Sequence, residues 1–162
     1  MQSTSANLIK VRAYTRADLQ ALRQIYISSI EELGHEHYSP DQVKAWAGFA
    51  DDTDVFSSWL GGSIVFVAVD SHDTPIAFGG LELPCRISCL FVSPHAARRG
   101  VGSLLIEHLL SLELDPTPTL YTTEASELSK PLFEKFGFRV KEIEHTKVSD
   151  VAFTRYAMRK RT

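Results

Sequence analysis

The sequence predicts a mixed α/β domain, and three observations carry that expectation. The apolar run SIVFVAV (63–69), the turn SHDTP and a second run IAFGGLEL (76–83) together have the pattern of an antiparallel hairpin. A third extended run, CRISCLFV (85–92), gives way to a leucine-rich helical pattern and then to TPTLYTT (117–123), which is a strand–helix–strand crossover. Helical spacing at Leu19, Leu22, Ile25, Tyr26 and Ile30 places an amphipathic helix ahead of both.

Taken in order, IKVRAY (9–14) alternates and is rich in branched residues, so it reads as a first strand. A helix follows from Thr15 to Leu33, with threonine as its cap and an aspartate in its first turn. After the loop GHEHY, SPDQVKAWAGF announces a second helix: Ser39 caps, Pro40 suits the first helical position, and Val43, Trp46 and Ala47 share one face. A short helix over Val55–Leu60 stops at Gly61 and Gly62. Beyond the hairpin and third strand, a helix runs from about Gly100 to Leu112, its sheet face made by Leu104, Leu105, Leu109 and Leu112. The remainder reads as a strand, a helix from Ser126 to Phe136 ended by Gly137, and two last strands, FRVKEIEHT and VAFTRYAMRK.

A chain of 162 residues is most simply one domain, residues 1–162, that buries a core without disulfides or metals. Its 44% hydrophobic and 23% charged content is that of an ordinary soluble protein, and a formal charge of −3 provides no general attraction for nucleic acid or anionic lipid. MQSTSANLIK lacks the basic start and apolar run of a signal peptide, and no segment is long and apolar enough to span a bilayer, so a cytoplasmic protein is expected. Cys85 and Cys89, four apart in an extended segment, are expected on one face, too far apart along it for an easy disulfide, and therefore reduced. Only His35 and His37 cluster, and no cysteine or histidine pair has zinc spacing, so no metal is expected.

The stretch HAARRGVGSLL (95–105) carries the functional signal. A strand that turns into a helix through Arg98, Arg99, Gly100, Val101, Gly102 and Ser103 presents free backbone N–H groups at the positive end of the helix dipole, with little side chain in the way. Such an end is a seat for an anion, and with two arginines beside it a pyrophosphate is the natural guest. The simpler reading, that the glycines only permit a tight turn and the arginines are solvated, stands beside it. A P-loop would need Lys-Ser/Thr after its last glycine, and the dinucleotide fingerprint a small residue where Leu105 stands, so neither is favoured.

The stretch resembles the acyl-CoA-binding motif of the GNAT superfamily of N-acetyltransferases, in which a strand ending like LFV-x-P runs into Arg-Arg-Gly-x-Gly and a leucine-rich helix. ASELSKPLFEKFGF (125–138) is similar to the superfamily's second signature, and HYSPDQVKAWA together with VAFTRYAMRK is similar to the YafP-like branch of bacterial members. The resemblance spans nearly the whole chain. It implies a mixed, mostly antiparallel central sheet flanked by helices, and acetyl-CoA as cofactor. It also implies that backbone groups of Leu90, Phe91 and Val92 pair with the pantetheine arm like an added strand, that the pyrophosphate lies on the amides from Arg98 to Ser103, and that Ser126, Lys130 and Phe133 line the other side.

The implied activity is direct attack of an amine, on a small molecule or a protein, upon the thioester. A lysine-like amine has a pKa near 10.4, so neutralising it at pH 7 costs about 4–5 kcal/mol, which calls for a general base. Glu82, His37 and Tyr38 are the candidates, and a free amide among Leu90–Val92 would serve a developing oxyanion, worth about 3 kcal/mol. Two positions depart from the family's pattern. Ala97 stands where many members carry glutamine or arginine, and Phe133 where many place a tyrosine that protonates the departing thiolate. The acid is then Tyr121 or Tyr38, or none is needed, since a thiol pKa near 8.5 makes a tolerable leaving group. Each residue also has a plain structural reading: Glu82 as a solvated strand-end charge, His37 and Tyr38 as packing of the helix junction, Trp46 as core, Cys89 as an inert buried thiol. The alternative from another class is a coenzyme A-binding sensor module without turnover. Partners are expected to be acetyl-CoA and an amine acceptor, without nucleic acid or membrane, and a homodimer is open.

Overall fold

The computed structural model describes residues 8–162, in which seven strands form one sheet with helices on both faces. The stretch MQSTSAN, whose lack of a basic start argues against a signal peptide, lies outside the described residues. The strands are β1 (Lys10–Ala13), β2 (Ile64–Val69), β3 (Pro75–Glu82), β4 (Arg86–Val92), β5 (Leu120–Ala125), β6 (Arg139–Val148) and β7 (Val151–Arg161), in the order β1-β2-β3-β4-β5-β7-β6. Every neighbouring pair is antiparallel except β4 and β5, which are parallel and joined through helix α4 (Val101–Leu110). No helix among the described residues is long and apolar enough to cross a membrane.

Helices α1 (Leu19–Leu33), α2 (Pro40–Gly48) and α3 (Thr53–Gly61) cover one face, where Leu22, Ile25, Ile30, Phe56 and Leu60 pack on Val67 and Phe78. On the other face α4 and α5 (Lys130–Lys135) bring Ile106, Leu109 and Phe133 against Ile87, Tyr121, Phe138 and Met158. Burying a side chain of this size contributes about 1.5–3 kcal/mol, so these two layers dominate the stability.

Local chemistry explains where the elements begin. The helix expected from Thr15 opens as a 3₁₀ turn, Arg16–Asp18, because the buried Asp18 carboxylate accepts from the Thr15 N–H at 2.9 Å and from both terminal nitrogens of Arg12. Ser39 and Gln42 form a reciprocal cap at α2, at 3.2 and 2.9 Å, with Pro40 in the first turn. Asp52 caps α3, which is why that helix starts at Thr53, ahead of the expected Val55. The strand expected over 117–123 is displaced to β5, since Pro118 has no N–H for a ladder. The helix expected from Ser126 begins only at Lys130: Ser126 and Ser129 bond each other's backbone N–H groups, at 3.2 and 3.0 Å, and hold a turn first.

One irregularity positions the site. In the β3–β4 pair, Leu81 faces Ile87 but Gly80 faces Cys89, so Ser88 is the extra residue of a bulge. The bulge inverts the alternation: Ile87 packs against α4, while Cys89, two residues on, packs among α1–α3. Cys85 lies in the turn ahead of β4 and packs on the α4 side. The two cysteines therefore do not share a face, contrary to expectation, and both are free thiols. Gly80 is required here, because a Cβ would come within 2.9 Å of Ser88 Oγ and 3.1 Å of Cys89 Sγ.

Candidate active site

β4 and β5 pair at only two positions, Arg86 with Thr122 and Ile87 with Thr123. Past the bulge they diverge. The Ser93 N–H donates to the Ile76 carbonyl at 2.8 Å, so alternation turns the N–H and C=O groups of Leu90 and Val92 away from β3, toward a side where no strand of the described residues receives them. The gap opens into two adjoining hollows of about 400 and 130 Å³ that share Trp46, Leu90, Phe91, Ser126 and Ser129.

At one end of this cleft the chain leaves β4 through a turn at Pro94–Ala96 and enters α4 with Arg98 and Gly100 both left-handed, at φ 59° and 78°. Arg98 holds that conformation at a cost of about 1–2 kcal/mol. The first helical bond runs from the Leu104 N–H to the Gly100 carbonyl at 3.0 Å. The amides of Arg98 to Ser103 meet no acceptor among the described residues and make a row of free donors at the positive helix end, exposed at Arg98, Arg99 and Gly100 and buried at Val101 and Gly102. Gly102 lets this end sit against the cleft floor, since a Cβ there would come within 2.8 Å of Leu132 Cδ2 and 3.6 Å of Val92 Cγ2.

The wider end has two unlike walls. Tyr26, Trp46, Phe49, Trp59 and Phe91 form an aromatic wall in which Tyr26 and Phe91 lie 4.7 Å apart by ring centroid. Opposite stand Arg86, Glu124 and Arg155. Arg86 donates from Nε to Glu124 Oε2 at 2.8 Å and from Nη1 to Glu82 Oε2 at 2.7 Å, and Arg155 pairs with Glu144. Cys89 also faces the cleft, and burial pushes its thiol up to about 12.

The structure brings some sequence candidates together and separates others. Leu90, Phe91, Ser126 and Phe133 line the larger hollow and Val92 the smaller, while Phe133 also packs edge-on to Phe138 in the core. Lys130 is on neither wall; it pairs with Glu134 at 3.1 Å and lies 5.2 Å over the Tyr156 ring. Glu82 stands exposed outside the cleft and touches it only through Arg86. Tyr121 is 4% exposed in the core beneath α4. His37 is exposed and Tyr38 buried, and neither lines the cleft. Tyr38 instead borders a separate hollow between α1 and α2, where burial raises its phenol and its hydroxyl accepts from the Glu127 N–H at 2.9 Å. Trp46, expected as core, packs on the core and lines the cleft as well. Sequence reasoning missed Arg86, Glu124, Ser129 and Arg155 among the cleft-lining residues, and three aromatics of the wall, Tyr26, Phe49 and Trp59. The available signal for Glu124 was a lone acid inside the otherwise uncharged strand LYTTEA.

A parallel strand pair that splits over a helix end rich in free amides makes an extended cleft with donors for an anion at one end. Residues 35–160 match the acetyltransferase (GNAT) domain, and the chain belongs to that family. It is 33% identical over 153 residues, 94% of this chain and 96% of the relative, to the uncharacterized N-acetyltransferase YafP of Escherichia coli (strain K12). It is also 33% identical over 87 residues, 54% of this chain and 57% of the relative, to the peptidyl-lysine N-acetyltransferase YjaB of the same strain. Among solved structures, a GCN5-related N-acetyltransferase from Rhodopseudomonas palustris superposes with a TM-score of 0.90 at 28% identity, covering 100% of this chain and 99% of that one. The fold is shared as well with the PaiA N-acetyltransferase of Thermoplasma acidophilum in complex with coenzyme A, at a TM-score of 0.76 and 16% identity over 96% and 99% of the two chains. The protein is thus an N-acetyltransferase, similar to YafP, and acetyl transfer is its class of reaction.

Proposed function

We propose that the protein transfers an acetyl group from acetyl-CoA to a primary amine by direct attack of that amine on the thioester. The observation that carries the reading is the divergence of β4 from β5 after Ile87, which leaves an unpaired strand edge leading to the free amides at the start of α4. The residues fit the cofactor: an extended arm is met by the backbone of Leu90 and Val92, while Phe91, expected to pair with it too, turns its N–H and C=O to β3 and lines the cleft otherwise, and a pyrophosphate is met by the amides and charges of Arg98, Arg99, Gly100, Val101, Gly102 and Ser103. Ser126 and Phe133 form the opposite wall of that channel. When bound, acetyl-CoA supplies an activated acyl group that a neutral amine can attack.

The chain's own residues supply the rest. Arg86 occupies Oε2 of Glu124, and Oε1 accepts no bond among the described residues, so it is open to an incoming ammonium. Glu124 in this position docks the acceptor amine and takes up its proton, a service worth about 10²–10⁴-fold in rate. The aromatic wall excludes water and holds the amine's carbon chain. The open backbone N–H at Leu90 or Val92 faces a carbonyl oxygen that gains charge. Tyr38 and Tyr121 are held away from the cleft and the Tyr26 hydroxyl in its wall donates to the Trp46 carbonyl at 3.1 Å, so the thiolate leaves without a phenolic acid, as its low basicity permits.

Incubation with acetyl-CoA and a panel of amines, followed by free thiol, tests the proposal; amine-dependent thiol release is expected. A second reading, a coenzyme A-binding module without turnover, draws on Phe133 in the cleft wall, which has no hydroxyl to give a leaving group. Coenzyme A binding with no release for any amine would favour it, and absence of binding would contradict both.

A further inference from the structure

The sheet carries an unneutralised basic strip on β5, β7 and β6, beyond the wide end of the cleft. Met158 packs on α4 and α5, so alternation places Arg159 and Arg161 on the opposite face. Arg139 lies directly across from Arg159, and Lys141, bulged between Val140 and Glu142, projects beside them. With Leu120 and Gly137 these four cations line a hollow of about 550 Å³. All four are exposed, and none pairs with a carboxylate among the described residues. Like charges placed directly opposite in an antiparallel pair repel, so the Arg139–Arg159 pairing works against the fold unless an anion joins them. Glu142 and Glu144 border the strip only toward the cleft, where Glu144 is taken by Arg155.

The strip is continuous with the wide end of the cleft. Arg155, in the cleft wall, and Arg159 share a face of β7 about 13 Å apart, the length of four extended residues. Along β7 the side chains of Arg159 and Arg161 repeat every second residue, about 6.7 Å, which is the spacing of alternate side chains in an extended peptide. Three of the four cations are arginines, whose forked donors suit carboxylates. The lining has no aromatic ring on which a base could stack, and the chain as a whole is acidic at −3, so single-stranded nucleic acid fits it poorly.

We infer that Arg139, Lys141, Arg159 and Arg161 dock an acidic, extended segment of the polypeptide that bears the acceptor amine. The inference rests on the acetyl-transfer reading above and names its acceptor class: a lysine or amino terminus about four residues from a carboxylate-rich stretch.

The test uses the full chain and fluorescence anisotropy with a labelled peptide of alternating glutamate and serine carrying one such lysine. Controls are the all-serine peptide and a single-stranded RNA oligonucleotide, each at low salt and at about 0.15 M. The acidic peptide is expected to bind, more weakly at the higher salt, and the double variant R139S/R159S to lose about tenfold or more in affinity. In acetylation assays the same variant is expected to raise KM for the acidic peptide and to leave kcat/KM for butylamine unchanged. Equal binding of the serine peptide, an unaffected double variant, or preference for the RNA would overturn the inference. If no amine is acetylated at all, the acetyl-transfer reading fails, and the anisotropy still decides whether the strip takes acidic peptide.

Discussion

Tyr38 and Glu127, far apart in sequence, are joined by a hydrogen bond of 2.9 Å from the Glu127 backbone N–H to the Tyr38 hydroxyl. The bond ties the loop before α2 to the turn that follows β5, and Gln42 adds a second tie by donating to the Ala152 carbonyl at 2.9 Å. Glu127 is also held from below, because its carboxylate accepts from the Tyr156 hydroxyl. Tyr38 therefore fastens the junction of α1 and α2 to the turn after β5, which carries the cleft-lining Ser126 and Ser129.

Removing that hydroxyl leaves a partly buried amide without an acceptor. Tyr38→Phe is expected to lower stability by about 1–2 kcal/mol, and His37→Ala, an exposed change, by less than about 0.5, as read from denaturant midpoints. Equal effects of the two would contradict the role assigned to Tyr38.

Glu124 and Glu82 share Arg86 but only Glu124 faces the cleft. Glu124→Gln is expected to lower kcat/KM by about 10²-fold, and Glu82→Gln by no more than about threefold, since an exposed pair is worth little. Steady-state kinetics on any accepted amine distinguishes them, and the reverse ranking would return the base to Glu82.

Burial pushes the Cys89 thiol up to about 12, so at pH 8 it stays protonated and unreactive. Alkylation of the native protein, located by mass spectrometry, is expected at the half-buried Cys85 and not at Cys89. Rapid labelling of Cys89 would show that the cleft wall is more open to water than this packing allows.

The hydrogen bonds from Arg12 hold the Asp18 carboxyl below the usual range, against burial, which opposes them. A carboxyl depressed in the folded state contributes stability that is full above its unfolded pKa, about 4, and is lost as pH falls through the folded value. Asp18→Asn is expected to cost about 2 kcal/mol at pH 7 and to flatten the acid limb of the stability profile below about pH 4. An unchanged acid limb would assign acid sensitivity to other groups.

Much of this was legible in the chain, for reasons that lie close together in sequence. The free helix end at Arg98 to Ser103 is legible locally, because the glycines, the charges and the helix start are neighbours in sequence. The hairpin and the crossover follow from a period of two giving way to a helical one. What stayed hidden depends on a single residue of register. The extra Ser88 reverses which face Cys89 presents, and no periodicity announces it. That Glu124, which the sequence reading did not consider, faces the cleft while Glu82 stands outside it depends on where β4 parts from β5, a matter of pairing between segments more than thirty residues apart. Tyr38 was expected at the reacting centre or as packing of the helix junction, and its bond to the Glu127 N–H, which only the tertiary fold creates, was not legible.

The central claim is that an extended cofactor completes the open edge of β4. Amide hydrogen exchange of the full chain, residue by residue and with and without coenzyme A, tests it most directly. Coenzyme A is expected to slow exchange at Leu90, Val92 and the amides from Arg99 to Ser103, because those donors lack partners in the free protein. Protection confined to other parts of the molecule, with these amides exchanging as fast as before, would contradict it.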